Sequence, residues 1–154
     1  MGRRGILVAG IAMVGLVAAG CSSHDDKAAA AALFHLRTGE CITSPAGTAG
    51  RTVEVKDVAD VPCAGAHDGE VFAVLAHPAA AGAAYPGDEA LTDYAASECV
   101  GRFAGYTGSS YDDSDLAVAT VRPDHDSWTS KDDREIGCVL YQKGGRLTGS
   151  RRQG

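Results

Sequence analysis

The first twenty residues decide which chemistry the rest of the chain can use. Arg3 and Arg4 give a positive start, and Gly5 to Val17 is an unbroken run of apolar and small residues. That run is shorter than the roughly 20 residues a spanning helix needs, so residues 1–20 read as an export signal rather than a membrane anchor. An exported chain folds in an oxidising compartment, where cysteines pair instead of staying reduced. Aromatic residues are 6% of the chain, so the core must come mainly from Val, Ile, Leu and Ala. A formal charge of -6 argues against nucleic-acid binding, which needs a basic face. Arg146, Arg151 and Arg152 are too few to reverse that.

The signal closes on Ala18-Ala19-Gly20-Cys21, which resembles a bacterial lipobox. The resemblance implies that Cys21 becomes a lipidated N-terminus, with Ala18 standing where Leu or Val is more usual. An ordinary cleaved signal is the alternative. Assigning Cys21 to lipid leaves four of the five cysteines: Cys41, Cys63, Cys99 and Cys138. An even set in an exported domain reads as a disulfide framework, with three connectivities open. The expected pairs are Cys41–Cys63 and Cys99–Cys138. Zinc is the competing reading, but no Cys-x-x-Cys pair exists, so neither a metal nor any cofactor is expected.

Residues 21–32 read as a flexible tether and 33–150 as one domain. Short strands are expected at Cys41, over 52–56, over 58–63 and over 70–76, the last central because it is apolar on both faces. Asp88 is expected to cap one main helix. Leu91, Ala95, Cys99 and Phe103 form its apolar row, and Gly105 is placed to end it. Residues 116–121 and 135–141 read as strands. In the second, Ile136, Cys138 and Leu140 share a face. Cys99 and Cys138 then both face inward, which favours their pairing. Residues 124–133 read as a polar loop, 146–149 as an edge strand and 151–154 as a disordered tail. The sum is a small α+β domain: a mainly antiparallel sheet packed by one main helix and stapled by two disulfides.

The ordered landmarks Gly39-Glu40-Cys41-Ile42, Val61-Pro62-Cys63, His67-Asp68 with Glu70-Val71, and Tyr85-Pro86-Gly87 are followed by Cys99 with Phe103. Pro123, Trp128, Asp133-Arg134, Cys138-Val139 and Leu147-Thr148-Gly149-Ser150 complete them. This pattern resembles the septum-formation family, a group of actinobacterial extracytoplasmic domains. Glu40 replaces the family's usual Asp, and Asp132 stands where a Gly commonly precedes Asp-Arg. The resemblance implies an envelope protein connected with division septa and carries no chemistry with it.

His67-Asp68-Gly69-Glu70 places an imidazole and two carboxylates within four positions, a set suited to cation binding or acid–base work. The plainer reading is structural, with His67 and Asp68 bonding the turn and Glu70 pairing with Arg134 across the sheet. Tyr111 to Asp115 reads as a solvated acidic turn, since it lacks the glycine and distant glutamate of a calcium loop. Trp128 reads equally as a partner-binding anchor or as a plug at one end of the core. No Gly-x-Ser-x-Gly elbow or phosphate-cradling loop is present, so a non-enzymatic role is expected. The expected protein is lipid-anchored on the outer face of the cytoplasmic membrane, binding or scaffolding an envelope or division protein. The alternatives are a hydrolase acting on wall polymer through His67, Asp68 and Glu70, or an extracytoplasmic sensor of a ligand or cation.

Overall fold

The computed structural model describes residues 36–43 and 58–154. Cys21, the signal, the tether and the strand expected over 52–56 lie outside the described residues. Among the described residues, seven strands and two helices follow in order. They are β1 (Cys41–Thr43), β2 (Ala59–Val61), β3 (Ala66–His67), β4 (Gly69–Ala76), α1 (Asp88–Thr107), β5 (Leu116–Val121), α2 (His125–Lys131), β6 (Glu135–Gln142) and β7 (Leu147–Thr148). Five strands pair in the order β2-β1-β4-β6-β5, all antiparallel, so β4 is central as its apolar faces require. β3 and β7 form a separate two-stranded ribbon. This is the α+β arrangement expected, with a second, short helix added.

α1 lies on one face of the sheet. Leu91, Ala95, Cys99, Phe103 and Tyr106 are its buried residues, one stripe at helical spacing. They meet Phe72 of β4 and Ile136, Cys138 and Leu140 of β6 in a single core. Truncating a residue such as Leu91 to Ala costs about 2–5 kcal/mol in a core of this kind. Cys99–Cys138 bonds the helix to the sheet through the middle of that core, and Cys41–Cys63 bonds β1 to the turn before β3. Both bridges are the expected ones.

Between Val71 and Ala73 the β4–β6 register slips, leaving Phe72 as an extra residue. The bulge lets Glu70, Phe72 and Ala73 all serve the helix-facing side, which strict alternation forbids. Phe72 packs edge-on against Phe103, ring centroids 5.9 Å apart.

Three local expectations are corrected. Asp88 does not cap α1; Gly87 holds the cap position without a side-chain bond, and Asp88 and Glu89 lie in the first turn, where carboxylates oppose the positive helix end. Gly105 does not stop the helix, which runs on to Gly108 in the left-handed conformation. The extra turn carries Tyr106 into the core, and that burial outweighs the weak helix propensity of Gly105. The stretch 124–133 is not a loop throughout, because it contains α2. Asp124 accepts the Ser127 amide at 2.7 Å while the Ser127 hydroxyl accepts the Asp124 amide at 3.1 Å, a reciprocal cap. The Ser127 amide holds the Asp124 carboxyl below its ordinary pKa.

Residues 151–154 were expected to be disordered, yet the chain end is tied down. The Gln153 amide donates to the Tyr106 carbonyl at 2.8 Å, and its side chain donates to the Gly105 carbonyl at 2.8 Å.

Candidate functional site

The His67-Asp68-Gly69-Glu70 run does not act as one cluster. It spans the bend from the ribbon into the central strand, and its residues leave the backbone in different directions. His67 and Glu70 are fully buried. Asp68 turns outward, accepting from the Thr43 hydroxyl at 2.8 Å and from Arg146 Nε at 2.7 Å. Gly69 is required by space: a Cβ there would meet Val139 Cγ1 at 2.7 Å and the Leu140 carbonyl at 3.2 Å. The missing side chain lets β4 begin flush against β6.

Glu70 is the centre of the buried polar structure. Tyr106 donates its hydroxyl to Oε1 at 2.6 Å, Ser150 donates its hydroxyl to the same oxygen, and the Arg151 amide donates to Oε2 at 2.7 Å. One carboxylate thus fastens the central strand to the last turn of α1 and to the C-terminal segment. Charge-assisted bonds of this type are about twice as strong as neutral ones. Burial, followed by the bond and charge of Glu70, pushes the Tyr106 hydroxyl up to about 12. The hydroxyl therefore stays protonated and keeps donating.

The expected Glu70–Arg134 pair does not form. Glu70 faces Leu140 near one end of β6, whereas Arg134 precedes the other end, where Glu135 faces Ala76. Six residues along a strand is a separation of roughly 20 Å. Arg134 instead lies over the Trp128 ring, its guanidinium carbon 3.7 Å from the centroid, and bonds Asp132 at 2.7 Å. Trp128 is 1% exposed and donates its indole N–H to the Ala83 carbonyl at 2.8 Å. Of its two expected roles, the plug at the end of the core is the one found. Asp132 sits in the left-handed region, φ 54°, which explains why a glycine suits that position.

His67 Nδ1 pairs with the Gly65 carbonyl at 2.9 Å, so Nδ1 is the donor in that bond. Nε2 is buried and has no hydrogen-bond partner among the described residues. Cys41 faces Glu70 directly across β1 and β4. A ring nitrogen of His67, a carboxylate oxygen of Glu70 and Cys41 Sγ lie within 4.8 Å of one another. With Cys41 bonded to Cys63, this group offers a cation only the imidazole and the carboxylate.

Residue spacing within the motif did not disclose Tyr106, Ser150 and Arg151 as partners of Glu70, because they lie 36, 80 and 81 positions away. One signal was present: Tyr106 continues the Leu91–Phe103 stripe by three residues.

A family model described as septum formation matches residues 38–154, from the turn before Cys41 through the tied-down chain end. The chain belongs to the septum-formation family. Its matched span includes Glu70 and every group bonded to that carboxylate. The septum-formation chain is also 34% identical over 125 residues to the protein named "Putative lipoprotein LppN" of Mycobacterium tuberculosis. The Mycobacterium bovis protein of that name matches to the same extent. The alignment takes in 78% of this chain and 64% of each relative, so it spans less than two thirds of their length. No solved structure matches the chain. The family and these relatives make it an envelope-associated protein.

Proposed function

We propose that this chain is a lipid-anchored envelope module that binds or scaffolds other components during septum formation or wall assembly, on the outer face of the cytoplasmic membrane. The anchor rests on Gly20-Cys21 and on the relatives' lipoprotein name. A diacylated and then further acylated Cys21 holds firmly, since stable anchoring needs more than one chain. One observation favours an architectural over a hydrolytic role. His67 and Glu70 are both fully buried, and each carboxylate oxygen of Glu70 already accepts a bond that holds the domain together. Both side chains lie beneath the surface that a wall polymer could touch.

Two experiments test the reading. The purified domain, incubated with wall fragments, should co-sediment or stay free without changing their mass; release of soluble fragments refutes the non-catalytic role. Crosslinking in intact cells should capture an envelope protein with the native chain and lose it with Cys21→Ala. A Cys21→Ala chain that remains in the membrane fraction refutes the lipid anchor.

A further inference from the structure

We propose that the Cys41–Cys63 disulfide covers a zinc site, which forms from Cys41, Cys63, His67 and Glu70 when that bond is reduced. Four features meet there. The three buried residues already present their ligand atoms within 4.8 Å of one another. Atoms sharing a tetrahedral zinc lie roughly 3.3–3.8 Å apart, given Zn–S near 2.3 Å and Zn–N near 2.0 Å. Closing the gap takes about an ångström, a movement open to the cysteine side chains once the sulfurs are no longer joined. His67 is prepared as a ligand: Nδ1 is held by the Gly65 carbonyl, the outer partner that metal-binding histidines commonly have, and Nε2 is buried with no hydrogen-bond partner among the described residues. Glu70 accepts three bonds on two oxygens, which leaves acceptor capacity for a cation. Reduction supplies the missing sulfur donors, both from one bridge.

The two disulfides differ in access. Cys99 and Cys138 are both fully buried, and Cys41 is nearly so, but Cys63 is half-buried. A dithiol reductant therefore meets Cys63 first. Its thiolate attacks Cys63 Sγ, the S–S bond breaks, and the electron pair leaves on Cys41 Sγ beside His67 and Glu70. The reductant's second thiol then attacks the mixed disulfide and releases Cys63. The reductant is oxidised to its disulfide, two electrons pass to the protein, and its two thiol protons end on Cys41 and Cys63. Zinc binding displaces those two protons. Thiolate, imidazole and carboxylate together suit zinc better than calcium or magnesium, which prefer all-oxygen sites.

The test uses the purified domain reduced anaerobically with a phosphine, freed of reductant, and mixed with zinc or cobalt. Alkylation mapping should find Cys41 and Cys63 free and Cys99–Cys138 intact. The reduced form should bind one zinc per chain, its melting temperature rising by roughly 5–10 °C, while the oxidised form shows no shift. Cobalt should give thiolate charge-transfer absorption, and X-ray absorption of the zinc-loaded wild type should read two sulfurs and two nitrogen or oxygen donors. His67→Ala should weaken binding about 10–100-fold. Absence of zinc binding by the reduced wild type overturns the proposal. So does a donor set of four sulfurs or of none, a reading on the wild type that holds even if His67→Ala fails to fold.

Discussion

Replacing Glu70 by Ala should be the most damaging single change on the polar side of this core. The substitution removes the acceptor of three donors: the Tyr106 hydroxyl, the Ser150 hydroxyl and the Arg151 amide. Ser150 and Arg151 lie at the exposed chain end and recover water when they are released. Tyr106 is 7% exposed and does not, so its hydroxyl bears the full penalty of an unmet buried donor, about 1–3 kcal/mol. Two further charge-assisted bonds, partly offset by rehydration, bring the loss to about 3 kcal/mol. For a domain of this size that is a fall in melting temperature of about 12 °C. Glu70→Gln should lose about half as much. Its one carbonyl still accepts from Tyr106 and Ser150, but its amide group turns N–H toward the Arg151 N–H. Thermal denaturation followed by circular dichroism gives the stabilities. Brief trypsin digestion gives the mechanism, because loss of the clamp should speed cleavage after Arg151 and Arg152. A fall below about 4 °C in Glu70→Ala, with unchanged tail cleavage, refutes the clamp.

Tyr106 predicts alkaline behaviour. Its pKa is raised in the folded state from 10.0 to about 12, so its stabilisation is complete below pH 10 and lost as pH rises through 12. The loss, on the order of 1–2 kcal/mol after screening, should disappear in Tyr106→Phe when denaturant midpoints are compared between pH 9 and pH 12. Asp132 holds a left-handed turn while accepting from the Gly82 amide at 2.9 Å and from Arg134 at 2.7 Å. Asp132→Ala should therefore melt lower than Asp132→Gly by about 1 kcal/mol, since both lose the bonds but only Ala keeps the backbone strain. Trp128 emission should be strongly blue-shifted in the isolated domain and move to the red in urea; a native spectrum like that of free indole contradicts its burial.

The parts of this fold legible in the sequence are those carried by periodicity. The helix stripe and the alternation in β6 pointed Cys99 and Cys138 at each other, and the bridge is where they meet. The central place of β4 followed from its apolar faces. Short polar structure was harder to read. α2 rests on a cap between Asp124 and Ser127, and its seven residues bury one large side chain, which leaves almost no apolar pattern. Gly105 carried a stop signal that tertiary packing overrode. The candidate site was half legible: the His67-to-Glu70 run stood out by composition, but which residue turned inward depended on a bend and a bulge that the residue types do not announce. Glu70 was matched with Arg134 because opposite charges on neighbouring strands invite pairing. Its true partners are neutral donors from an extended helix and a chain end.

The anchoring of residue 70 by an amide 81 positions later also constrains how the molecule is made. While a chain emerges from its N-terminus, the Glu70 carboxylate can meet Tyr106 but lacks its Ser150 and Arg151 donors until residues 150 and 151 are free. An earlier collapse would bury Oε2 without its native donor, at a cost of about 1–3 kcal/mol. The full set of bonds around Glu70 therefore waits for residues 150 and 151, and a chain lacking them carries an unmet acceptor to the centre of the sheet.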